Sequence, residues 1–455
     1  MSDAELSALT VEALERRLRQ EQSQQRLPSV AAAVVRDGRL VWSSAVGHLD
    51  GRAGSARATT DTQYRIGSIS KTFVAVEVLR LRDEGLLSLD DLASALVPEL
   101  AHLGPVTITQ LLTHTSGLQA ETDDAWWERT PGGDWDALVA SGVRQRLAPG
   151  RRFHYSNVGY AVLGEIVRRR RDAPWTEVVT DEVLRPLGMS RTTPRPVAPA
   201  APGLAVHPFA DLVHVEPEHD AGAMSAAGQL WSTADDLATW AMFLAGRTQD
   251  VLSAETLAEM VRPVAVNDLP GVAWTAAHAL GWQVWNVDGR RYGGHGGSMP
   301  GFLAGLRVDL ETGDGAVAFT NATSGMGPVT TDLLDLVREL DPPTPALWTV
   351  DADQVDRLDL VGDWFWGTIR FRLALEPDGG LRLGDPGTGR GARFRPTDDG
   401  WVGRESYYDG EPLTVRRDAA GRPVRLDLAS FVFTRTPYDT AVDDVPGGLD
   451  ALGWH

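Results

Sequence analysis

The chain has 455 residues, 43% hydrophobic and 23% charged, a composition that suits a globular protein with core enough for two or three domains. Its net charge of -19 argues against a nucleic-acid partner and against an anionic membrane surface, and no apolar run is long enough to span a bilayer. Cysteine is absent, which excludes a disulfide framework, a thiolate metal site and a cysteine nucleophile.

The first 25 residues are acidic and amphipathic. They lack the basic start and apolar stretch of a secretory signal, so the expectation is a cytoplasmic protein. Residues 4–26 read as one helix, with Leu6, Leu9, Leu14 and Leu18 spaced for an apolar face and Pro28 ending it. Residues 29–47 are two apolar runs about Asp37-Gly38, a hairpin signal. Ser70 to Glu84 reads as a helix with Phe73, Val76, Leu79 and Leu81 towards a core and Gly85 at its end. Helices and loops continue to about residue 245, closing with an amphipathic helix over 231–244 capped by Ser232 or Thr233. From 280 the strands return, in LGWQVWNVDGRRYGGHGG and GFLAGLRVDLETGDGAVAFTNA. Together these predict one antiparallel sheet flanked by helices, an α/β or α+β layer arrangement with a helical middle, over residues 1–340. The Pro-rich stretch 341–350 reads as a linker. Residues 351–455 alternate short strands with Gly-containing turns, with Ile369, Phe371, Leu373 and Leu375 on one strand face. That pattern predicts an antiparallel meander or small barrel.

One residue stands out chemically. Of the 43 basic residues 42 are arginine, and the single lysine, Lys71, lies in GSISKTF. Arginine stays charged, whereas a lysine that is buried or set beside other charges can lose its proton and act as a base. Ser68 lies three residues earlier, one helical turn away on the same face. A serine hydroxyl is a poor nucleophile until a base takes its proton, and a helix N-terminus favours the negative charge that then develops. Tyr155-Ser156-Asn157 precedes a further helix. A tyrosine beside a cationic lysine can have a lowered pKa and pass a proton, and the asparagine amide can position the lysine and a substrate carbonyl. Tyr292-Gly-Gly-His295-Gly296-Gly297-Ser298 supplies glycines that let a substrate approach the backbone, and an N–H here can complete an oxyanion hole with that of Ser68. Taken singly, each has a plainer explanation: a chance S-x-x-K, a buried tyrosine with an Asn helix cap, a glycine-rich turn with a surface histidine.

In this order the three motifs resemble the penicillin-recognising serine hydrolases: class C β-lactamases, D-Ala-D-Ala carboxypeptidases, D-aminopeptidases and related esterases. LLTHTSGL (111–118), PLGM (186–189) and AAGQLWSTADDLATW (226–240) resemble further stretches of that family, so the likeness covers about residues 25–340. It implies Ser68 as nucleophile, Lys71 and Tyr155 as the proton-handling pair, and Asn157 as a positioning group. It also implies His295, Gly296 and Gly297 on the substrate side, and the N–H groups of Ser68 and Ser298 as the oxyanion hole. No metal and no cofactor is implied. His295-Gly296-Gly297 departs from the Lys-Thr-Gly of β-lactamases and carboxypeptidases; a histidine is at most partly charged near neutral pH, which weakens recognition of a substrate carboxylate. The final 100 residues are similar to the lipocalin-like module of some of these hydrolases, through LVGDWFWGTIRFRLAL and LDLASFVFTR.

The combination resembles the penicillin-binding-protein-type thioesterases. That resemblance implies a cytoplasmic enzyme that takes a peptidyl ester or thioester from a carrier protein and macrocyclises or hydrolyses a nonribosomal peptide. A cytoplasmic esterase or D-aminopeptidase is the alternative; a non-catalytic peptide binder or sensor is a third. Other residues read more plainly. Trp126 and Trp127 either wall the substrate pocket or belong to the core. His207, His214 and His219-Asp220 match no metal-ligand spacing and read as a polar loop. Arg168 to Arg171 read as a solvated helix end, and Glu77 and Arg80 as surface residues. Lys71→Arg is expected to abolish acylation of Ser68 although it keeps the charge, because arginine cannot release a proton; mass spectrometry after a serine-reactive phosphonate checks this.

Overall fold

The computed structural model describes residues 5–247, 251–345, 347–384, 391–398 and 400–437, with the backbone of 449–450 and 453–454. It divides into two compact units, residues 1–344 and 345–455.

The first unit is built on an eight-stranded antiparallel sheet. Its strands are β1 (Ser29–Arg36), β2 (Arg39–Gly47), β3 (Ala265–Val266), β4 (Ala276–His278), β5 (Gln283–Val287), β6 (Arg290–Met299), β7 (Phe302–Asp309) and β8 (Gly315–Thr320). The order is β2-β1-β8-β7-β6-β5-β4-β3, so the first and last strands of the sequence region meet at Val30↔Thr320. The β1–β2 hairpin turns at Asp37 and Gly38, both at positive φ (50° and 69°), as an Asp-Gly turn requires. All eight residues of β1 are buried. Val30, Ala32 and Val34 face one core, and Ala31, Ala33 and Val35 face the other. Small residues in a strand covered on both sides let helices approach closely.

One face is covered by α1 (Ala8–Gln24) and α5 (Val329–Leu340), through Leu14, Leu18, Leu333 and Val337. Ser7 caps α1, accepting from Thr10 N at 3.2 Å. The helix is shorter than the predicted 4–26, and Leu9 is 61% exposed rather than part of the apolar face. At roughly 100° per residue, Leu9 lies more than a third of a turn round from Leu14 and opposite Leu18.

The other face holds α2 (Ser70–Asp83), α3 (Asn157–Arg171) and α4 (Ala234–Leu244). Thr233 alone caps α4, accepting from Asp236 N; Ser232 instead belongs to a two-residue strand paired with Tyr64–Arg65. α2 has almost no solvent face, and its polar residues Lys71, Thr72 and Glu77 are fully buried. The reading of Glu77 and Arg80 as surface residues is therefore corrected. Glu77 accepts from Arg171 at 2.7 Å and pairs with Arg80 at 3.1 Å. Of Arg168 to Arg171 only Arg170 is simply exposed: Arg168 and Arg169 bind Glu165, Arg169 reaches Glu99, and Arg171 reaches Glu84 as well as Glu77. A charged residue on a helix faces water only if no other element covers it, and here the end of α3 covers α2.

The second unit is a closed barrel of eight antiparallel strands: β9 (Gly362–Trp366), β10 (Ile369–Leu375), β11 (Leu381–Gly384), β12 (Gly391–Thr397), β13 (Gly400–Gly403), β14 (Pro412–Arg417), β15 (Pro423–Leu428) and β16 (Phe431–Thr434). Phe365↔Thr434 closes it. Trp364, Phe371, Leu373, Leu381, Phe394 and Leu426 fill the interior, while the alternate arginines, Arg372, Arg382 and Arg393, point out. Ile369, placed on the inner face by alternation, is 38% exposed at the strand's start. Among the described residues no helix is long and apolar enough to cross a membrane. Glu77→Leu is expected to cost roughly 2–4 kcal/mol in urea unfolding, because Arg171 and Arg80 lose a buried counter-charge. A loss under about 1 kcal/mol would mean that Glu84 and Glu182 already neutralise them.

Candidate active site

Ser68 sits in a single 3-10 turn, Gly67–Ile69, which feeds directly into α2. Its side chain is part-exposed, whereas the residues on either side are buried. The turn is pressed against β6. A Cβ on Gly67, which has φ +51°, would lie 2.5 Å from Ser298 N, and one on Gly297 would lie 1.9 Å from Ile66 O. Only glycines permit this approach, which brings the backbone of Ser68 beside that of Ser298.

The one amine lies beneath. Lys71 is fully buried. Nζ donates to Ser68 Oγ at 3.0 Å and to the carbonyl of Ala227 at 2.6 Å, and lies 5.0 Å and 5.5 Å from the ring centres of Tyr155 and Tyr160. Burial lowers its pKa to about 7, against the opposing pull of the Glu121 and Glu128 carboxylates. A lysine poised there is neutral often enough to take a hydroxyl proton.

The Tyr155 hydroxyl lies close enough to that of Ser68 for the two to interact. The sequence suggested that the lysine would lower its pKa; the structure reverses this. Burial raises it well above the usual phenol value, and the interaction with Ser68 only partly counters that. Of the two, Lys71 is the group poised to lose its proton near neutral pH, and Tyr155 keeps its own. Asn157 also differs from expectation. Its Nδ2 donates to Glu121 Oε1 at 2.6 Å, while Oδ1 is buried with no hydrogen-bond partner. It does not hold the lysine; the Ala227 carbonyl does. Since a carboxylate only accepts, Glu121 fixes which way the amide points and leaves Oδ1 as a buried acceptor without a partner.

His295 is buried on β6, and Nδ1 donates to the carbonyl of Gly296 at 2.6 Å. Burial, with Lys71 nearby, lowers its pKa to about 3. It is neutral, with Nε2 free to accept. Gly296 is exposed and its N–H reaches Gln283 Oε1 at 3.2 Å, while Gly297 is buried under Ile66. Pairing of β6 with β5 stops at Gly294↔Gln283, so residues 296–298 are an open edge on that side.

Trp127, one of the two tryptophans left between core and pocket, is core. It is 6% exposed and its Nε1 donates to Glu121 Oε2 at 2.7 Å, so it reaches the site only through that carboxylate. Trp126 is exposed, donating to Glu128 at 2.8 Å beneath the Arg129 guanidinium. His207 and His214 lie across a short hairpin with ring centres 6.1 Å apart, and His219 binds the carbonyl of Trp127. Among the described residues no three His, Asp or Glu side chains group to hold a metal. Sequence reasoning missed Glu121 and the carbonyl of Ala227. The AAGQLW stretch was visible, but a backbone carbonyl leaves no side-chain signature, and Glu121 is one acid among several.

Fold and site together define a β-lactamase-like serine hydrolase. A family profile described as Beta-lactamase matches residues 12–338, and the chain belongs to that family. A profile for a domain of unknown function matches residues 353–435. Penicillin-binding protein 4 of Amycolatopsis lactamdurans is 31% identical over 338 residues, 69% of this chain and 85% of its own length. Beta-lactamase-like protein 2 of Dictyostelium discoideum is 29% identical over 53% of this chain, which spans only 46% of that relative. Among solved structures, a D-stereospecific amidohydrolase from a Streptomyces species is 26% identical with TM-score 0.58, covering 72% of this chain and 99% of its own. SurE with D-Leu is 24% identical with TM-score 0.56, covering 94% and 100%.

A lysine whose pKa is lowered on folding stays uncharged over a wider range, so the folded state is favoured at high pH. That stability is lost as pH falls from the unfolded value, near 10.5, towards about 7. Relative to Lys71→Met, the wild type is expected to gain on the order of 2–3 kcal/mol between pH 6.5 and 9.5. Denaturant unfolding of both proteins at the two pH values checks it; parallel curves would mean an unperturbed amine.

Proposed function

We propose that the chain is a serine hydrolase or acyltransferase that forms a Ser68 acyl-enzyme with D-configured aminoacyl or peptidyl donors bearing a free amine. The observation that carries this reading is the chemistry of the polar groups gathered about Lys71. His295 is neutral, Asn157 Oδ1 is an unpaired acceptor, and Glu121 is a carboxylate. The third motif offers no cation for a substrate carboxylate, while Asn157 Oδ1 and the Glu121 carboxylate are acceptors that suit an ammonium. The D-configuration draws support from the Streptomyces D-stereospecific amidohydrolase, at 26% identity.

Neutral Lys71 takes the Ser68 proton as Oγ attacks the acyl carbon. The carbonyl electrons move onto oxygen, which the N–H groups of Ser68 and Ser298 receive. When the tetrahedral adduct collapses, the leaving group takes its proton from Tyr155, which is reprotonated by the Lys71 ammonium. Water or an amine then resolves the ester by the same steps in reverse order.

A second reading is a peptidyl thioesterase that releases and macrocyclises a nonribosomal peptide from a carrier protein in the cytoplasm. The acceptors favour it too, because the peptide's own amine, entering as nucleophile, would meet Glu121 and Asn157 Oδ1. Mass spectrometry separates the two. Wild type and Ser68→Ala are incubated with D-phenylalaninamide, with its N-acetyl derivative, and with a peptidyl thioester ending in a D-residue. Wild-type hydrolysis of the free-amine amide, at least about 30-fold faster than of the N-acetyl form, supports the first reading. Cyclic product from the thioester supports the second. Equal turnover by Ser68→Ala would sink both.

A further inference from the structure

We infer that His114, outside the three motifs that carry the chemistry, is a positioning residue that sets the Tyr155 phenol against Ser68; this rests on the Ser68 acyl-enzyme reading. Three contacts from this one residue hold Tyr155 and its two neighbours. The His114 carbonyl accepts from His154 N at 2.7 Å. Its Nδ1 accepts from Ser156 N at 3.1 Å. Its ring stacks on that of Tyr155, with centroids 4.0 Å apart and planes 26° apart. The residues on either side of Tyr155 and the Tyr155 ring itself are thus held by the same imidazole and its peptide.

The geometry is unusual for a residue that only closes a turn. His114 is 2% exposed and has φ +58°, a conformation that few non-glycine residues adopt and that is strained unless something holds it. The carbonyl and the imidazole nitrogen serve the same irregular segment, 154–156. His278 meets the His114 ring edge-on at 5.4 Å and stacks on Phe153 at 4.3 Å, so the imidazole has little freedom to turn away. Nδ1 must be unprotonated to accept from Ser156, which agrees with the burial that holds the His114 pKa well below the ordinary value. A hydroxyl that passes a proton has to be placed to a fraction of an ångström, and a ring fixed at one end by its own backbone needs such a clamp.

Two substitutions divide the clamp. His114→Asn keeps an acceptor at the position of Nδ1 and tolerates positive φ, but loses the ring. His114→Phe keeps a ring and leaves the Ser156 N–H unpaired. Each is made in the wild type and in Tyr155→Phe. The readout is the rate of Ser68 modification by a diphenyl phosphonate, whose phenoxide leaves faster when Tyr155 hands it a proton, with thermal melts to follow folding. In the wild type, His114→Phe is expected to slow modification about 10-fold or more and His114→Asn to retain more of the rate. In the Tyr155→Phe background either change is expected to alter the rate less than about threefold, because the group it positions is gone. Should His114→Phe fail to fold, His114→Asn in the two backgrounds gives the same comparison. Losses that multiply in the double variants, or His114 variants that react at the wild-type rate, would overturn the role of His114 alone. Equal labelling of wild type and Ser68→Ala would overturn the acyl-enzyme reading and this inference with it.

Discussion

An amine sealed in a protein core is the constraint on which the rest of this structure turns. A lysine ammonium with no water around it is costly, and the cost falls as the proton is lost. The fold answers with one carbonyl, that of Ala227, one hydroxyl, that of Ser68, and the faces of two tyrosine rings. The carboxylates of Glu121 and Glu128 act from further away. That balance leaves the amine close to giving up its proton at neutral pH. A stronger counter-charge would make Lys71 a permanent cation and no base; a weaker one would remove the hydrogen bonds that aim it. The burial in turn requires α2 to have helices and sheet on nearly every side, which is why Glu77 on the same helix is also buried and must bring its own arginines.

The three motifs reach the site by different mechanical routes. The first is the start of a helix, held rigidly by its own hydrogen bonds. The third is the end of a strand, pressed against the first through Gly67 and Gly297. The second has no regular structure of its own before α3 begins, and it hangs from the segment 114–121. His154 and Ser156 bond to His114, Ser156 Oγ to the carbonyl of Gln119, Asn157 N to that of Ala120, and the Asn157 amide to Glu121. This segment touches almost every group of the second motif, yet none of its side chains takes or gives a proton in the proposed reaction.

What the sequence could show follows from this. Periodicity found the β1–β2 hairpin, α2 and α4, and the alternating barrel strands, because each buries one face against a neighbour whose identity does not matter. The lone lysine and its spacing from Ser68 were equally plain, since a helical turn fixes their distance. The failures share a cause. Glu77 was read as surface, Tyr155 as an acidified phenol and Asn157 as the lysine's partner. In each the residue type was right and the environment was supplied by a distant part of the chain: the end of α3, the rings of His114 and His278, and Glu121. Local pattern carries no record of which remote carbonyl or carboxylate will face a given group. Leu9 failed differently, by arithmetic on the helix that the full set of positions would have corrected.

The single amine has an analytical side as well. A protease that cleaves only after lysine would cut the unfolded 455-residue sequence once, after Lys71. The fragment of residues 1–71 carries Ser68 three residues from its new C-terminus, so any acyl group resting on the nucleophile is weighed on a short polypeptide, apart from the remaining arginine-rich bulk. In the folded protein the same side chain is wholly out of contact with solvent, so amine-directed reagents that modify most proteins at many places would find no exposed ε-amine here. Their uptake by Lys71 would therefore time the opening of the core around the site.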